Sequence, residues 1–147
     1  MTIGNICTHD VLTADKAATA QYAAQLMRQR HVGDVVVIDS ATGKPCGIIT
    51  DRDIVVSVIA LNLDPDAFTL GDLVCRPLVS AHKNQDAFET VQQMRAHRVR
   101  RMPIVDDQGS LVGIVTADDL IRSLAQELGE LANVIISQHV EEMAARP

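Results

Sequence analysis

Gly47 to Val55 reads G-I-I-T-D-R-D-I-V, and Gly113 to Ile121 reads G-I-V-T-A-D-D-L-I. In each stretch a short apolar run leads into a Thr-x-x-Asp step. Such a run is typical of a buried strand, and a Thr followed three residues later by an acid is typical of a capping box that opens a helix. The sequence therefore predicts, twice, a strand that passes directly into a helix.

Each strand-to-helix turn carries groups that suit an anionic ligand. It offers a hydroxyl, a carboxylate and the unpaired N–H groups of a helix N-terminus. The four motif residues are Thr50, Asp53, Thr116 and Asp119. The alternative is that each Thr only caps its helix. The recurrence of the whole step at matching positions favours a role beyond capping.

The two motifs belong to a repeat that covers most of the chain. Gly4 corresponds to Gly71 at a spacing of 67 residues, and Thr50 corresponds to Thr116 at 66, because the second turn is one residue shorter. Each copy is predicted as a β-α-β-β-α unit, so the fold class is α/β (α+β). One copy is too small to bury both faces of its sheet. We therefore expect the copies to pack sheet to sheet with pseudo-two-fold symmetry.

Hydrophobic periodicity places the elements. The first copy is predicted to have a lead-in turn at 4–8, a brief strand at 11–13, a helix at 19–30, strands at 34–39 and 47–49, and a helix from 51 to about 61. The second copy is predicted to have its first long helix at 86–97. The expected boundaries are 1–66 for the first repeat, 67–125 for the second, and 126–147 for a C-terminal helical extension.

Composition argues against nucleic acid as a partner. The chain has 147 residues, of which 47% are apolar, so it can bury a sizeable core. It has no Trp, one Tyr and two Phe, which leaves no aromatic platform for stacking single-stranded bases. Its net charge of -6 lacks the basic excess that binds a phosphate backbone.

Cysteine usage and hydropathy indicate location. The three cysteines, Cys7, Cys46 and Cys75, form no C-x-x-C pair and are expected to be small buried residues. No N-terminal apolar segment is typical of a signal peptide, so we expect a cytoplasmic protein with reduced thiols. No apolar run approaches the roughly 18 residues of a membrane helix. We expect no membrane association.

Known catalytic and metal-binding patterns are missing from the sequence. The five histidines show no H-E-x-x-H or other compact metal-ligand spacing. There is no G-x-S-x-G elbow and no Walker A loop. We therefore predict no catalytic residue and no metal site, and we do not expect an enzyme.

The repeat length, the strands V-V-V-I-D and M-P-I-V-D, and the two Thr-x-x-Asp steps preceded by Gly and two apolar residues resemble a tandem pair of CBS domains. This arrangement is called a Bateman module, and the resemblance covers about residues 3 to 125. It implies a regulatory module that binds an adenosine-containing ligand, such as AMP, ADP, ATP, NAD or S-adenosylmethionine, in the cleft between the repeats. It also implies a disk-shaped homodimer. Since no effector domain accompanies the repeats, we expect the signal to pass to a partner protein.

The resemblance also implies roles for individual residues. The motif aspartates would accept hydrogen bonds from a ribose diol, and the motif threonines would donate to a phosphate at the helix N-terminus. The adenine would lie against Ile49 or Val115, and backbone groups around Thr13 and Ser80 would contact its edge. For each Asp, the alternative is a helix-start acid that complements the helix dipole.

The second repeat carries a basic cluster in the run M-R-A-H-R-V-R-R-M-P. A guanidinium group can hold phosphate oxygens bidentately, so Arg100 or Arg101 is predicted as a phosphate clamp. The first repeat has Gly33 and Asp34 at these positions. The alternative is that the cluster is a solvated basic end of the helix at 86–97, favourable beside its C-terminal dipole.

The chain ends in a long apolar helix. From Asp118 the predicted second motif helix continues to about Met143, with an interruption at Gly129. It is too apolar to lie free in water, so we expect it to pack on its own module or on a partner subunit. Covering the core and forming a dimer arm are both open.

The leading hypothesis is thus a stand-alone Bateman module that senses an adenine nucleotide. One rival is a structural or protein-interaction homodimer whose pockets bind no physiological nucleotide. A hydrolase or redox role is a third possibility.

Overall fold

The computed structural model describes residues 1–146. In chain order the elements are α1 (Ile3–Ile6), β1 (Thr13–Asp15), α2 (Ala20–Arg30), β2 (Asp34–Asp39), β3 (Lys44–Thr50), α3 (Asp51–Ile54) with a π-helical continuation (Val55–Ile59), α4 (Leu70–Leu73), β4 (Ala81–His82), α5 (Ala87–His97), β5 (Arg101–Val105), β6 (Leu111–Thr116) and α6 (Ala117–Ala145). The predicted β-α-β-β-α repeat and the α/β fold class are confirmed.

The strands form two three-stranded sheets, in the orders β1-β2-β3 and β4-β5-β6. In each sheet the first strand runs parallel to the second, and the second runs antiparallel to the third. The long helices α2 and α5 connect the parallel strands. Both sheets therefore have the same topology, as the sequence repeat requires.

Both faces of the central strands are buried. Val35, Val36 and Val37 in β2 are all 0% exposed, although successive side chains point to opposite faces of a strand. Val35 and Val37 pack in the helix-side core of the first repeat, while Val36 lies on the opposite face. Its equivalent in β5, Pro103, is also fully buried. Burial on this second face is what sheet-to-sheet packing of the repeats produces.

The short lead-in helices are exchanged between the repeats. Ile3 of α1 packs in the core of the second sheet with Met102, and Leu70 of α4 packs in the core of the first sheet. The backbone N–H of Gly4 donates to the carbonyl of Lys83 at 2.9 Å. The equivalent bond in the other half, from Gly71 to Lys16, is 2.8 Å. Each lead-in helix thus completes the core of the other repeat.

Four sequence predictions need correction. The brief strand predicted at 11–13 is observed at Thr13–Asp15, and the regular helix predicted at 51–61 changes to π-helical geometry after Ile54. Gly129 does not interrupt α6, because one glycine costs a long helix only about 1 kcal/mol. Cys75 is exposed, whereas Cys7 is buried and Cys46 is half-buried.

Within residues 1–146, no helix is long and apolar enough to cross a membrane.

Candidate ligand site

Both motif turns are complete capping boxes. In the first, the Thr50 hydroxyl accepts from the Asp53 N–H at 3.1 Å, and Oδ2 of Asp53 accepts from the Thr50 N–H at 2.9 Å. In the second, Thr116 and Asp119 make the same two bonds at 3.1 and 3.2 Å. The capping interpretation is therefore correct for both turns, and any ligand contact would add to it.

Each motif carboxylate keeps one oxygen outside its capping box. Within residues 1–146, the hydrogen bonds to the carboxylate of Asp53 use only Oδ2. Oδ1 of Asp119 accepts from Arg122 at 3.2 Å, but that arginine side chain is 77% exposed. An ionised carboxylate can accept on both oxygens, so each Oδ1 can still meet a ligand hydroxyl.

Strand register brings the two turns to the same place between the repeats. Asp34, the first residue of β2, is the register partner of Thr50 at the end of β3. Arg101, the first residue of β5, is the register partner of Thr116 at the end of β6. Nε of Arg101 lies 2.7 Å from Oδ2 of Asp34. Because this ion pair joins the two sheets, the motif turns flank it from either side.

The ion pair is partly shielded from solvent. The side chains of Asp34 and Arg101 are 21% and 39% exposed. Burial raises the pKa of the Asp34 carboxyl; the positive charge of Arg101 opposes this rise, and the negative charge of Asp51 adds to it. The net upward direction shows that desolvation outweighs the attraction of Arg101.

The two candidate arginines have different surroundings. Arg100 is 80% exposed, and its contact with Asp118 is 3.5 Å long. Such exposed pairs contribute little to stability. Arg101 instead points between the repeats. Of the two predicted phosphate clamps, only Arg101 lies between the motif turns.

The two side chains predicted to contact the adenine lie less favourably for a ligand than Arg101 does. Ile49 and Val115 are 1% and 0% exposed and belong to the helix-side cores. This packing does not support adenine contact through either side chain. Their neighbours Ile48 and Ile114 point to the opposite face.

Thr13 and Ser80 occupy equivalent positions at the start of the first strand of each sheet. Thr13 opens β1 opposite Val36, and Ser80 immediately precedes β4. Thr13 is exposed and Ser80 is half-buried. Since β1 and β4 begin at the sheet ends where β2 and β5 begin, backbone groups here are on the same side of each sheet as the motif turn.

Two surface cavities lie elsewhere. One, of about 320 Å³, is lined by Met1, Ser123, Gln126, Glu127 and Glu130. The other, of about 170 Å³, is lined by Thr2, Gly4, Asn5, His9, Lys83, Asn84 and Val112. None of the four motif residues lines either cavity. Support for a ligand site at the motif turns therefore comes from the arrangement of their polar groups.

Sequence reasoning missed Asp34 as a site residue. The signal was its position, because Asp34 and Arg101 are repeat equivalents 67 residues apart. Residues near a pseudo-two-fold axis meet their own equivalents across it. A third capping box, between Thr69 and Asp72 at the start of α4, was also missed. It has the motif spacing without the preceding strand.

The family model for the CBS domain matches residues 3–59 and 70–126. The chain belongs to the CBS-domain family. The two matches contain the Thr50 and Thr116 turns respectively, so the motif repeat and the CBS repeat coincide.

Curated relatives of this CBS pair include proteins of similar length. The chain is 38% identical over 113 residues to the CBS domain-containing protein YhcV of Bacillus subtilis, covering 77% of this chain and 78% of that protein. It is 34% identical over 128 residues to Hypoxic response protein 1 of Mycobacterium tuberculosis, covering 86% and 82%. A protein of Methanopyrus kandleri is 34% identical over 122 residues, and the match covers 83% of this chain but only 62% of that protein.

Solved structures of CBS pairs superpose on the chain. The crystal structure of Hypoxic Response Protein I, which has two coordinated zinc ions, gives a TM-score of 0.74 at 33% identity and covers 83% of this chain and 98% of that one. The CBS domain pair of protein MJ0100, in complex with 5'-methylthioadenosine and S-adenosyl-L-methionine, gives 0.75 at 25% identity and covers 86% and 98%. In the described part of the present chain, no group of three or more His, Cys, Asp or Glu side chains is placed to hold a metal ion.

Proposed function

We propose that this CBS pair is a regulatory module that binds an adenosine-containing ligand between its repeats. The candidates are AMP, ADP, ATP, NAD and S-adenosylmethionine. The observation that carries the proposal is the placement of both Thr-x-x-Asp turns beside the ion pair of Asp34 and Arg101. That placement gathers acceptors for a sugar and a cation for a phosphate at one boundary between the repeats.

Each group has a defined part in the proposed complex. The free Oδ1 atoms of Asp53 and Asp119 accept hydrogen bonds from a ribose diol. The N–H groups at the helix starts, with the hydroxyls of Thr50 and Thr116, bind phosphate oxygens. Arg101 forms charge-assisted hydrogen bonds to the phosphate in place of its bond to Asp34. Backbone groups beside Thr13 and Ser80 contact the edge of the adenine.

The proposal extends to assembly and signalling. The CBS pair acts as a homodimer in the cytoplasm and passes its signal to an effector protein. Exposed apolar residues on the helices that follow the motif turns support association, since Val55 is 55% and Ile121 is 65% exposed at equivalent positions. A ligand changes the output only if it binds two states of the module with different affinities.

Ligand binding is tested by thermal unfolding and calorimetry of the full chain with AMP, ATP, NAD, S-adenosylmethionine and adenosine. At 100 times its dissociation constant, a ligand of the folded state stabilises the protein by about 2.7 kcal/mol. At least one of these compounds is expected to do so. The absence of saturable binding by all of them contradicts the proposal.

The third capping box supplies a matched control for the site. Asp72 caps α4 with the same two bonds that Asp119 makes, but it lies outside the motif turns. Asp119→Asn and Asp72→Asn should lose similar stability, since each weakens one cap. Only Asp119→Asn should weaken ligand binding. Equal binding by both variants removes the ribose role of Asp119.

The rival function is a protein-interaction module with no nucleotide ligand. The complete capping boxes favour it, because capping alone already accounts for the Thr and Asp of both motifs. In that case the titrations give no binding while self-association is retained. The same experiments therefore separate the two functions.

A further inference from the structure

Helix α6 extends well past the CBS repeat that it follows. It is 29 residues long, from Ala117 to Ala145, whereas the second CBS match ends at residue 126. Leu120 is its one buried residue within this span. Most of the helix therefore contributes nothing to the core of its own module.

One side of α6 carries polar side chains that lie near the first residue of the chain. Ser123, Gln126, Glu127 and Glu130 line a cavity with Met1 at the N-terminus of the chain. After Leu120, the large apolar side chains of the helix are all more than half exposed. The part of α6 beyond Leu120 therefore does not cover the core of its own module, and within residues 1–146 nothing buries these apolar side chains.

A continuous apolar stripe runs along one side of α6 beyond its first turn. We define the α6 seam as Ile121, Leu124, Leu128, Leu131 and Ile135. These side chains are between 57% and 67% exposed, and their spacing alternates between three and four residues. Contiguous exposed apolar patches often mark interaction sites on soluble proteins.

We propose that the α6 seam packs against the α6 seam of a second copy of this chain, in parallel and in register. This rests on the homodimer included in the proposed function and specifies the surface that forms it. A repeat of three and four residues is the pattern of the a and d positions of a coiled coil. A seam with this repeat packs against a helix that has the same repeat. The α6 helix of a second copy is such a helix.

The residues beside the seam fit a parallel pair. In this arrangement a residue at position g faces the e residue five positions later on the partner helix. Glu127 then faces Ala132, and Val134 faces His139, so no like charges meet beside the seam. Ala125, at another e position, leaves room for close approach of the helices.

The charge of α6 argues against a lipid surface as the partner that covers the seam. Helices that lie on membranes carry Lys and Arg on their polar face. The polar side of α6 instead carries Glu127, Glu130 and Glu141. An anionic bilayer would repel this helix. Packing against the α6 helix of a second copy of the chain does not require a basic face.

Sedimentation equilibrium of the full chain tests the seam with a matched pair of double variants. Leu128→Glu/Leu131→Glu places two charges in the seam. Asn133→Glu/Ser137→Glu places two charges on the exposed opposite side of the same helix. The seam variant is expected to raise the dissociation constant of self-association at least about tenfold, and the control variant is expected to leave it within about twofold of wild type.

Disulfide trapping provides a second readout that does not depend on weakening the dimer. With Cys75 replaced by serine, Leu131→Cys is expected to form a cross-linked dimer on mild oxidation, because d positions face each other in a parallel pair. Ser137→Cys in the same background is expected to remain uncross-linked. Circular dichroism confirms that every variant keeps its helix.

The outcomes separate this inference from the proposed function. If the seam variant self-associates as tightly as wild type, or Leu131→Cys fails to cross-link, the homodimer uses another surface and the inference is wrong. If the wild-type chain is monomeric at all concentrations, the seam inference and the homodimer both fail. Neither result changes the nucleotide titrations, which decide ligand binding independently.

Discussion

Arg101 and Asp34 occupy equivalent positions in the two repeats, and their side chains form a 2.7 Å ion pair across the boundary between the sheets. The repeats are thus joined at their pseudo-symmetry axis by residues of opposite charge. A strictly symmetric pair would place like charges together there. The substitution of Arg in one repeat and Asp in the other makes the contact attractive and leaves only one of the two halves with a cation at this position.

Replacing Arg101 and replacing Asp34 should change the affinity for the phosphate of AMP in opposite directions. Arg101→Ala is expected to weaken AMP binding by about ten- to 100-fold, since a hydrogen bond to a charged group contributes about 1.5–3 kcal/mol. Asp34→Asn is expected to tighten it, because Asp34 competes with the phosphate for Arg101. Calorimetric titration with AMP measures both changes. Adenosine, which lacks the phosphate, should bind all three proteins alike.

Arg100→Ala is the control for this comparison, because the Arg100 side chain is 80% exposed and its ion-pair partner Asp118 is exposed as well. Its AMP affinity should stay within a few-fold of wild type. If Arg100→Ala weakens AMP binding and Arg101→Ala does not, the phosphate lies on the outer surface and the assignment of Arg101 is wrong.

The charge on the Asp34 carboxylate should lower the stability of the fold. Burial raises the pKa of its carboxyl, so the folded state binds this proton more tightly than the unfolded chain does. The charged carboxylate therefore disfavours folding above that pKa, and the effect vanishes as the pH falls below the ordinary value. Asp34→Asn is expected to be at least as stable as wild type at pH 7, with a smaller difference at pH 4. Urea unfolding at the two pH values measures this, and a large loss of stability at pH 7 would contradict it.

Gly113 is where the exchanged lead-in segment crosses the second sheet. A Cβ at this position would lie 2.5 Å from Sγ of Cys7 and 2.9 Å from the carbonyl oxygen of Thr8. Gly113→Ala is therefore expected to destabilise the fold by about 1–3 kcal/mol, because the backbone of the crossing segment must shift. Chemical denaturation measures the loss.

Gly129→Ala is expected to have the opposite effect on stability. No atom lies within 4 Å of a Cβ built at Gly129, which sits inside α6. Alanine there should stabilise the helix by about 0.5–1 kcal/mol. If Gly113→Ala were as well tolerated as Gly129→Ala, the α1 segment would not be packed on the second sheet in solution.

The sequence repeat was sufficient to predict the fold, because periodicity and capping are local properties. The Thr-x-x-Asp turns lie where the strand patterns end, and their hydrogen bonds follow from residues three positions apart. The exchange of α1 and α4 was not predictable in this way. Nothing local distinguishes Ile3 packing on the first sheet from Ile3 packing on the second.

The candidate site was also predictable only in part, because contacts between the two sheets are not local properties of the sequence. The motif residues could be named from their spacing, but the partner of Arg101 depends on how two sheets meet. The resemblance to CBS domains implied that adenine lies against Ile49 or Val115, whereas strand alternation directs the side chain of Ile49 into the helix-side core. The face of a strand that a ligand can reach is fixed by tertiary packing, which the pattern of apolar residues alone does not specify.

Acid should destabilise the protein through specific surface aspartates. Asp39 accepts hydrogen bonds from Lys16 at 3.0 Å and from the Ala41 N–H at 3.0 Å, and these bonds lower its pKa. A lowered pKa means that the charged form stabilises the fold above the ordinary value of 3.8 and that this contribution is lost as the pH falls through the folded pKa. Asp39→Asn should be less stable than wild type at pH 7.

The difference between Asp39→Asn and wild type should shrink towards pH 2, where the wild-type carboxyl is protonated as well. Thermal unfolding between pH 2 and 7 follows it. Asp66→Asn, at an exposed position between the repeats, leaves the Lys16 pair intact and serves as the control. A difference that stays constant over this range would show that the carboxylate charge of Asp39 is not what stabilises the turn.

The three thiols should react at well-separated rates. Cys75 is exposed, whereas burial raises the pKa of the Cys7 and Cys46 thiols and so lowers their thiolate fraction. Titration of the native chain with a thiol reagent at pH 8 should therefore modify Cys75 first, with Cys7 and Cys46 following slowly or only on unfolding. Cys75→Ser should abolish the fast phase and leave the slow one. Fast modification of Cys7 in that variant would show that α1 leaves the second sheet readily, since Cys7 becomes accessible only when this lead-in helix detaches.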